Sequence, residues 1–433
     1  MTSPVGESTG TAPLDGHEPR VAGVGREAAV PPEAGSSLPR EFALLFACLV
    51  SVGMGQSILF SVLPPAARRI GLSPFQVSTI FATSASLWVF VSPAWGRRSD
   101  VAGRRRVMII GLLGYALSMA LIATVIEIGA RDLLPALAIY PMLVVSRCVF
   151  ALLGSGTGPA AQAYIADRTS RSQRTAGVAL VSAAMGLGET IGPAVGALLA
   201  AINLVAPIYL SAVLAVASAA TLWRWLPESP THPEAHRAST RRMRVFDPRI
   251  MPFLLVSTAM QAARGTTVVT LAFFLQDALG LDSEQTVRVA GLGLVVLAAA
   301  GLVAQLGIVQ RFRPTSRSLL RSGTLLMLAA FLLLAFGTGL PLYLFALACL
   351  GLGLGLVRPG ASAAASLSVE ATEQGAAAGI VGGVSVFGNI VGPLIGTALY
   401  PWSHRAPFLL NAAFMAGALV LVLSSPRVRH VRA

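Results

Sequence analysis

Twelve apolar runs of about twenty residues each occupy the chain between positions 43 and 424. At 1.5 Å per helical residue such a run crosses about 30 Å of hydrocarbon, and lipid offers no partner to an unpaired backbone group, so each run is read as a transmembrane helix. The spans are approximately 43–63, 77–95, 107–126, 137–160, 176–199, 204–223, 252–275, 289–309, 322–338, 341–362, 378–399 and 407–424, with the ninth and tenth meeting at Gly339 to Pro341. Composition agrees: 12% of the 433 residues are charged, against roughly a quarter in a soluble domain. A soluble fold is excluded, and the class is an all-α integral membrane protein.

The net charge of +13 suggests nucleic acid at first sight. The chain has no Lys, so all 32 basic residues are Arg, and their placement gives another explanation. With the N-terminus taken as cytoplasmic, inner segments carry 24 arginines and outer loops five, namely Arg68, Arg69, Arg131, Arg288 and Arg405. Arg147, Arg264 and Arg358 fall inside spans. That asymmetry is the positive-inside pattern, so the arginines set an orientation with both termini cytoplasmic, and no nucleic-acid partner is needed.

Residues 1–40 are Gly-, Pro-, Ser- and Glu-rich and are expected to be a disordered tail without a secretory signal. Residues 226–250 form a polar, Pro- and Arg-rich linker, and 425–433 a second cytoplasmic tail. The two stretches between, 41–225 and 251–424, are expected to be six-helix halves, because the chain repeats itself. The string Gly188-Glu189-Thr190-Ile191-Gly192-Pro193-Ala194-Val195-Gly196 recurs 200 residues later as Gly388-Asn389-Ile390-Val391-Gly392-Pro393-Leu394-Ile395-Gly396, and Pro159 likewise matches Pro359. Parallel repeats imply a substrate site near the midplane where the halves meet. Close helix packing is the plainer account of the glycines; the prolines bend their helices at a defined depth.

These residues are similar to those of the major facilitator superfamily, and over residues 43–424 the chain resembles its twelve-helix drug:proton antiporter branch. The loop after the second helix matches the family's signature at Gly96, Asp100, Gly103, Arg104 and Arg105, with Arg98 and Val101 departing from it. The resemblance implies a cytoplasmic gating contact in which Asp100 favours the positive end of a neighbouring helix; a merely topogenic arginine loop is the alternative. Asp167 and Arg174 look like a second cytoplasmic charge pair of the family. The string at Gly188, Gly192, Pro193 and Gly196 resembles the antiporter signature of the fifth helix, with Gly392, Pro393 and Gly396 as its repeat, and it implies an exporter. The fourth-helix signature retains Arg147, with Phe150 and Ala151 in place of the usual Gln and Gly.

Ionisable groups in hydrocarbon are costly and suggest function. Arg147 and Glu189 each lie about ten residues from the outer ends of their helices, hence at a similar depth of about 15 Å, and can pair. Glu189 is expected to be the proton-titrating acid and Arg147 its counter-charge; a structural ion pair is the alternative. Helix one offers only Gln56. Arg264, with Gln261 one turn earlier, would line the cavity and hold an anionic or zwitterionic group, or else satisfy a carbonyl or Asn389. Arg358 snorkels to the cytoplasmic face.

The glycine runs 154–158 and 351–355 resemble nucleotide loops but follow no strand and lack the phosphate-loop Lys. His232 and His236 flank Pro233 in the hydrophilic linker and make a poor zinc site. Cys48, Cys148 and Cys349 lie in apolar runs and are read as packing residues. No cofactor, metal or enzymatic nucleophile is expected. The expectation is a monomeric, bacterial inner-membrane transporter whose partners are a small amphipathic substrate, protons and the bilayer, exporting its substrate by proton-driven alternating access. Import or facilitated passage of an organic anion is the rival, and a non-transporting sensor or scaffold the distant third.

Overall fold

The computed structural model describes residues 38–169, 174–200, 202–229, 244, 246–312, 314–370 and 373–425, with the side chains at 38, 39, 174–179, 182, 375, 376, 378, 379, 382 and 385 left aside. The tails at 1–37 and 426–433 and most of the linker, His232 and His236 included, lie outside the described residues.

Twelve helical segments account for nearly all of what is described: α1 (Leu38–Arg69), α2 (Pro74–Ala102), α3 (Arg104–Ala130), α4 (Ala136–Arg168), α5 (Arg174–Ala200), α6 (Ala206–Trp225), α7 (Met251–Leu279), α8 (Ser283–Phe312), α9 (Ser316–Phe336), α10 (Leu340–Leu367), α11 (Gln374–Leu399) and α12 (Ala406–Ser424). Ten of the twelve expected spans fall wholly within one of them; 204–223 begins two residues before α6 and 322–338 runs two residues past α9. Ten are long and apolar enough to cross a membrane; α11 has a shorter apolar stretch, Val386–Leu399, and α7 is diluted by Gln261, Arg264 and a series of threonines.

The chain punctuates these helices with ordinary capping chemistry. Ser73 and Asp282 each start a helix with a capping box, the side chain accepting from the backbone N–H of Gln76 or Gln285 while that Gln reaches back. Gly280, in the left-handed region at φ +65°, ends α7 where a Cβ would be strained. Two interruptions were not visible in the hydropathy. α4 passes through a 3-10 turn at Gly154–Gly156, and α8 widens to a π-helix over Val303–Val309. The first falls in the glycine run that resembled a nucleotide loop. Pro159, three residues into the resumed helix, has no N–H for the turn before it. The run at 351–355 stays α-helical, with Gly351 and Gly355 packed against the α8 backbone at Leu297 and Gly301 and Gly353 against α9 at Gly323 and Met327.

Two apolar cores result. One joins α1 to α6, from Leu45 to Leu226, and the other joins α7 to α12, from Ile250 to Val422. The first also takes in Val269, Phe273, Val287 and Tyr400, all from the second half. Phe273, Val287 and Tyr400 lie toward the end of the bundle away from the arginine-rich loops, so the halves are packed together at that end.

The internal repeat is reproduced in three dimensions. A Cβ at Gly188 would meet the backbone of Val50 and Met54 on α1, and one at Gly388 the backbone of Thr258 and Ala262 on α7. Gly192 and Gly392 lie in the same way against Met54 and Ala262. α5 therefore sits on α1 as α11 sits on α7, at separations that only a hydrogen side chain permits. The matched backbone positions on α1 and α7 are 208 residues apart, in both the Val50/Thr258 and the Met54/Ala262 pairs. That register sets Gln56 of α1 opposite Arg264 of α7.

Candidate functional site

A cavity of about 640 Å³ lies between the two halves. Its wall is mainly apolar and aromatic, and Gln56, Arg147, Glu189, Arg264 and Asn389 all line it. Five of the six residues expected in the coupling site and cavity are thus brought together from α1, α4, α5, α7 and α11. Gln261 is half-buried and is not among the lining residues. Thr157, Gly158, Pro159 and Gln162 carry the wall along α4 toward the arginine-rich end.

Arg147 and Glu189 share the cavity but do not pair. The Arg147 Nη2 donates to Gln56 Oε1 at 2.7 Å, and its guanidinium lies 4.6 Å from the Phe150 ring centroid and 5.6 Å from that of Phe81. Its Nε and Nη1 are buried without a hydrogen-bond partner. The expected ion pair fails for a lateral reason. α4 packs on α2 and α3, where Ser84 and Ser118 donate to the carbonyls of Arg147 and Ser146, whereas α5 packs on α1. Equal depth along two helices does not bring their side chains to the same azimuth. Among the described residues Glu189 is the one carboxylate on the cavity wall, and neither it nor Arg264 takes part in an ion pair.

Asn389, at Glu189's repeat position, is held differently. A Cβ on Gly265 would lie 2.8 Å from Asn389 Oδ1 and 3.1 Å from Pro393, so the amide packs directly on the α7 backbone beside Arg264. Glu189 is an exposed side chain on the wall.

At the arginine-rich end, the loop between α2 and α3 forms one charge cluster with the end of α4. Arg104 pairs with Asp100 and, through Nε at 3.2 Å, with Asp167, and it donates to Ser99 Oγ at 2.6 Å. Asp100 thus faces Arg104 of its own loop, and Asp167 joins the same cluster instead of forming a second one with Arg174, whose side chain lies outside the described residues. A Cβ on Gly96 would come within 4.0 Å of Pro159. Gly103 takes φ +98°, and a Cβ there would fall 2.7 Å from the Glu228 carboxyl carbon. Glu228 accepts from the Arg105 backbone N–H at 2.9 Å, while the Arg105 side chain donates to the Trp223 carbonyl. Arg168 grips Glu41 at 2.9 Å, and Tyr164 donates to the same carboxylate at 3.1 Å. All of these residues belong to α1 to α6 or the start of the linker, so this cluster braces one half and does not tie the two halves together.

The tie is at the opposite end. Arg68, ending α1, donates to Asp277 of α7 from both terminal nitrogens at 2.6 and 3.0 Å, and to Gln276 at 3.1 Å. Tyr400, just beyond α11, donates to the same carboxylate, and Arg68 lies 5.4 Å over the Phe273 ring. Burial first, and the Asp277 carboxylate second, push the Tyr400 phenol above its ordinary range, so it remains a donor. Ser78 of α2 and Thr397 of α11 add a buried hydroxyl pair at 2.7 Å. The bonds from Arg68 and the Ser78–Thr397 pair cross between the halves, and Tyr400 braces Asp277 from within the second half. Sequence reasoning counted Arg68 only as an outer arginine and missed Asp277 and Tyr400. Their signal was faint: an acid in the last turn of α7, against the usual cationic preference there.

A family model described as Major Facilitator Superfamily matches residues 45–316 and 307–432. Multidrug resistance protein 1 of Bacillus subtilis is 24% identical over 386 residues, covering 88% of this chain and 95% of that protein. Tetracycline resistance protein, class C, of Escherichia coli is 30% identical over 410 residues, covering 88% and 94% respectively. Among solved structures, a bacterial homolog to the human lysosomal transporter Spinster superposes with a TM-score of 0.73 at 13% identity, covering 92% of this chain and 99% of that one.

Proposed function

The chain belongs to the major facilitator superfamily, whose members are membrane transporters and not enzymes, and from that premise we propose that it exports a small amphipathic drug or metabolite against its gradient in exchange for protons. The observation that carries this reading is Glu189, among the described residues the one carboxylate on the wall of a mainly apolar cavity between two pseudo-symmetric halves. An acid in such a place can bind a proton on one side of the membrane and release it on the other when the halves rock. Arg147 supplies a fixed cation in the same cavity. It donates to Gln56 and forms no ion pair with the acid.

The asymmetry of the two ends supports alternating access. The halves are joined by Arg68 to Asp277 and by Ser78 to Thr397 at one end, and the cavity wall extends toward the other. With the arginine-rich loops cytoplasmic, this is the state that loads substrate from the cell interior or the inner leaflet. The names of the relatives, multidrug and tetracycline resistance proteins, favour the outward direction. A bacterial plasma membrane, cytoplasmic termini and a monomer complete the proposal.

The test is intracellular accumulation of tetracycline and of a panel of toxic amphiphiles in cells expressing the protein, with and without a protonophore. Export requires that the protonophore raise intracellular compound. If it lowers uptake, import of the compound replaces export. If the protein changes nothing across the panel, the transport reading fails.

A further inference from the structure

The cavity holds charges of both signs that do not neutralise one another. Arg147 is 5% exposed and has two N–H groups without an acceptor. A buried donor left unpaired keeps its full desolvation cost, which is larger when it is charged. Arg264 and Glu189 also lack ion-pair partners among the described residues. The pseudo-symmetry sharpens this. Gln56 and Arg264 are equivalent on α1 and α7, and Glu189 and Asn389 on α5 and α11. One half therefore presents an amide with an acid, and the other a cation with an amide. Aromatic surface separates these groups: Phe60 stacks on Phe81 at 4.6 Å, Phe150 meets Tyr115 edge-on at 5.2 Å, and Trp88 lies on the wall.

We propose that the substrate is an amphoteric aromatic compound, its anionic group held by the Arg147 and Arg264 guanidiniums and its cationic group by Glu189. This deepens the export reading and rests on it for the direction of transport. A ligand with only one charge leaves the opposite sign in the cavity unsatisfied. A ligand with both supplies an anion to the arginines and a cation to Glu189. The planar ring system fits between the aromatic side chains. The arrangement also explains exchange: a substrate cation and a proton compete for the same carboxylate, so loading one expels the other. A purely anionic substrate would instead bind best when Glu189 is protonated and would travel with the proton.

The probes are 4-(aminomethyl)benzoate and 6-(aminomethyl)-2-naphthoate, which carry both charges at two spacings. Their single-charge controls are 4-methylbenzoate, 2-naphthoate, 4-methylbenzylammonium and 2-naphthylmethylammonium. Binding is measured on the purified full-length protein in nanodiscs by titration calorimetry, with no gradient present. At least one amphoteric probe is expected to bind about tenfold tighter than both of its single-charge controls, the value of one charged hydrogen bond. Arg147→Gln should bring it down to the cation control's affinity and Glu189→Gln to that of the anion control. Arg264→Gln serves as a second cationic variant should Arg147→Gln fold poorly. The proposal is overturned if an anion or cation alone binds wild type as tightly as both amphoteric probes, or if neither arginine variant weakens binding. Because no gradient is involved, preferred amphoteric binding without protonophore-sensitive transport would sink the export reading alone, and the converse would sink this inference alone.

Discussion

The two halves are built on one packing scheme and differ in what they place on it. Gly188 and Gly192 bring α5 onto α1 just as Gly388 and Gly392 bring α11 onto α7, with backbone against backbone in both cases. The chemistry at the matched positions is different. Glu189 is exposed on the cavity wall, while its counterpart Asn389 is packed on Gly265. Gln56 accepts from Arg147, while its counterpart Arg264 is itself a cation with no ion-pair partner among the described residues. The plain reading of the glycine motif, close packing, is therefore right for the glycines.

The largest expected effect comes from breaking what the halves share. Gly192→Leu and Gly392→Leu each drive a side chain into the backbone of the partnered helix, and overpacking in a close helix pair costs several kcal/mol when backbone must move. Both variants should lose most of their monodisperse material on size-exclusion chromatography, and to a similar extent. A harmless Leu at either position would disprove the equivalence of the two packings.

The next effect separates the halves. Glu189→Gln should abolish protonophore-sensitive efflux, whereas Asn389→Ala should retain most of it and lose only some stability. Adding Asn389→Glu to Glu189→Gln should not restore coupling, because position 389 packs on the α7 backbone. Restored efflux in the double variant would show that the two repeat positions are interchangeable.

Two smaller effects compare the ends of the molecule. Gly103→Ala combines a positive φ with a Cβ in the Glu228 carboxylate and should cost about 1–3 kcal/mol in a thermal-shift assay. Substrate selectivity should be unchanged. Asp277→Asn loosens the tie between the halves by about 1 kcal/mol at most, since the ion pair is about one-third exposed on each side. Its readout is maleimide labelling of Ser78→Cys, which is fully buried beneath that tie and should label several-fold faster once it is loosened. Unchanged labelling would show that Arg68 and Asp277 do not hold that end closed.

The helices were legible because lipid makes length and hydropathy decisive. The repeat was legible because a glycine that touches a backbone tolerates no other residue. That Arg147 and Glu189 share one cavity could also be read, from their expected common level, and both line it. Azimuth could not. The chain does not announce which face of α4 turns toward Gln56, and so the expected Arg147–Glu189 pair gave way to Arg147–Gln56. The tie between Arg68 and Asp277 spans 209 positions, and no local pattern signals it. The break at Gly154–Gly156 was hidden in an unbroken apolar run.

The central claim is that Glu189 exchanges a proton for substrate. Its most direct measurement is in sealed proteoliposomes that contain the purified protein, an acidic lumen and a trapped pH-sensitive dye. Tetracycline and 6-(aminomethyl)-2-naphthoate are added outside in turn. With wild type, the transported compound should raise the lumenal pH as it accumulates; with Glu189→Gln, neither pH change nor accumulation should occur. The account is contradicted if Glu189→Gln dissipates the gradient as fast as wild type does, or if wild type accumulates compound with no movement of protons.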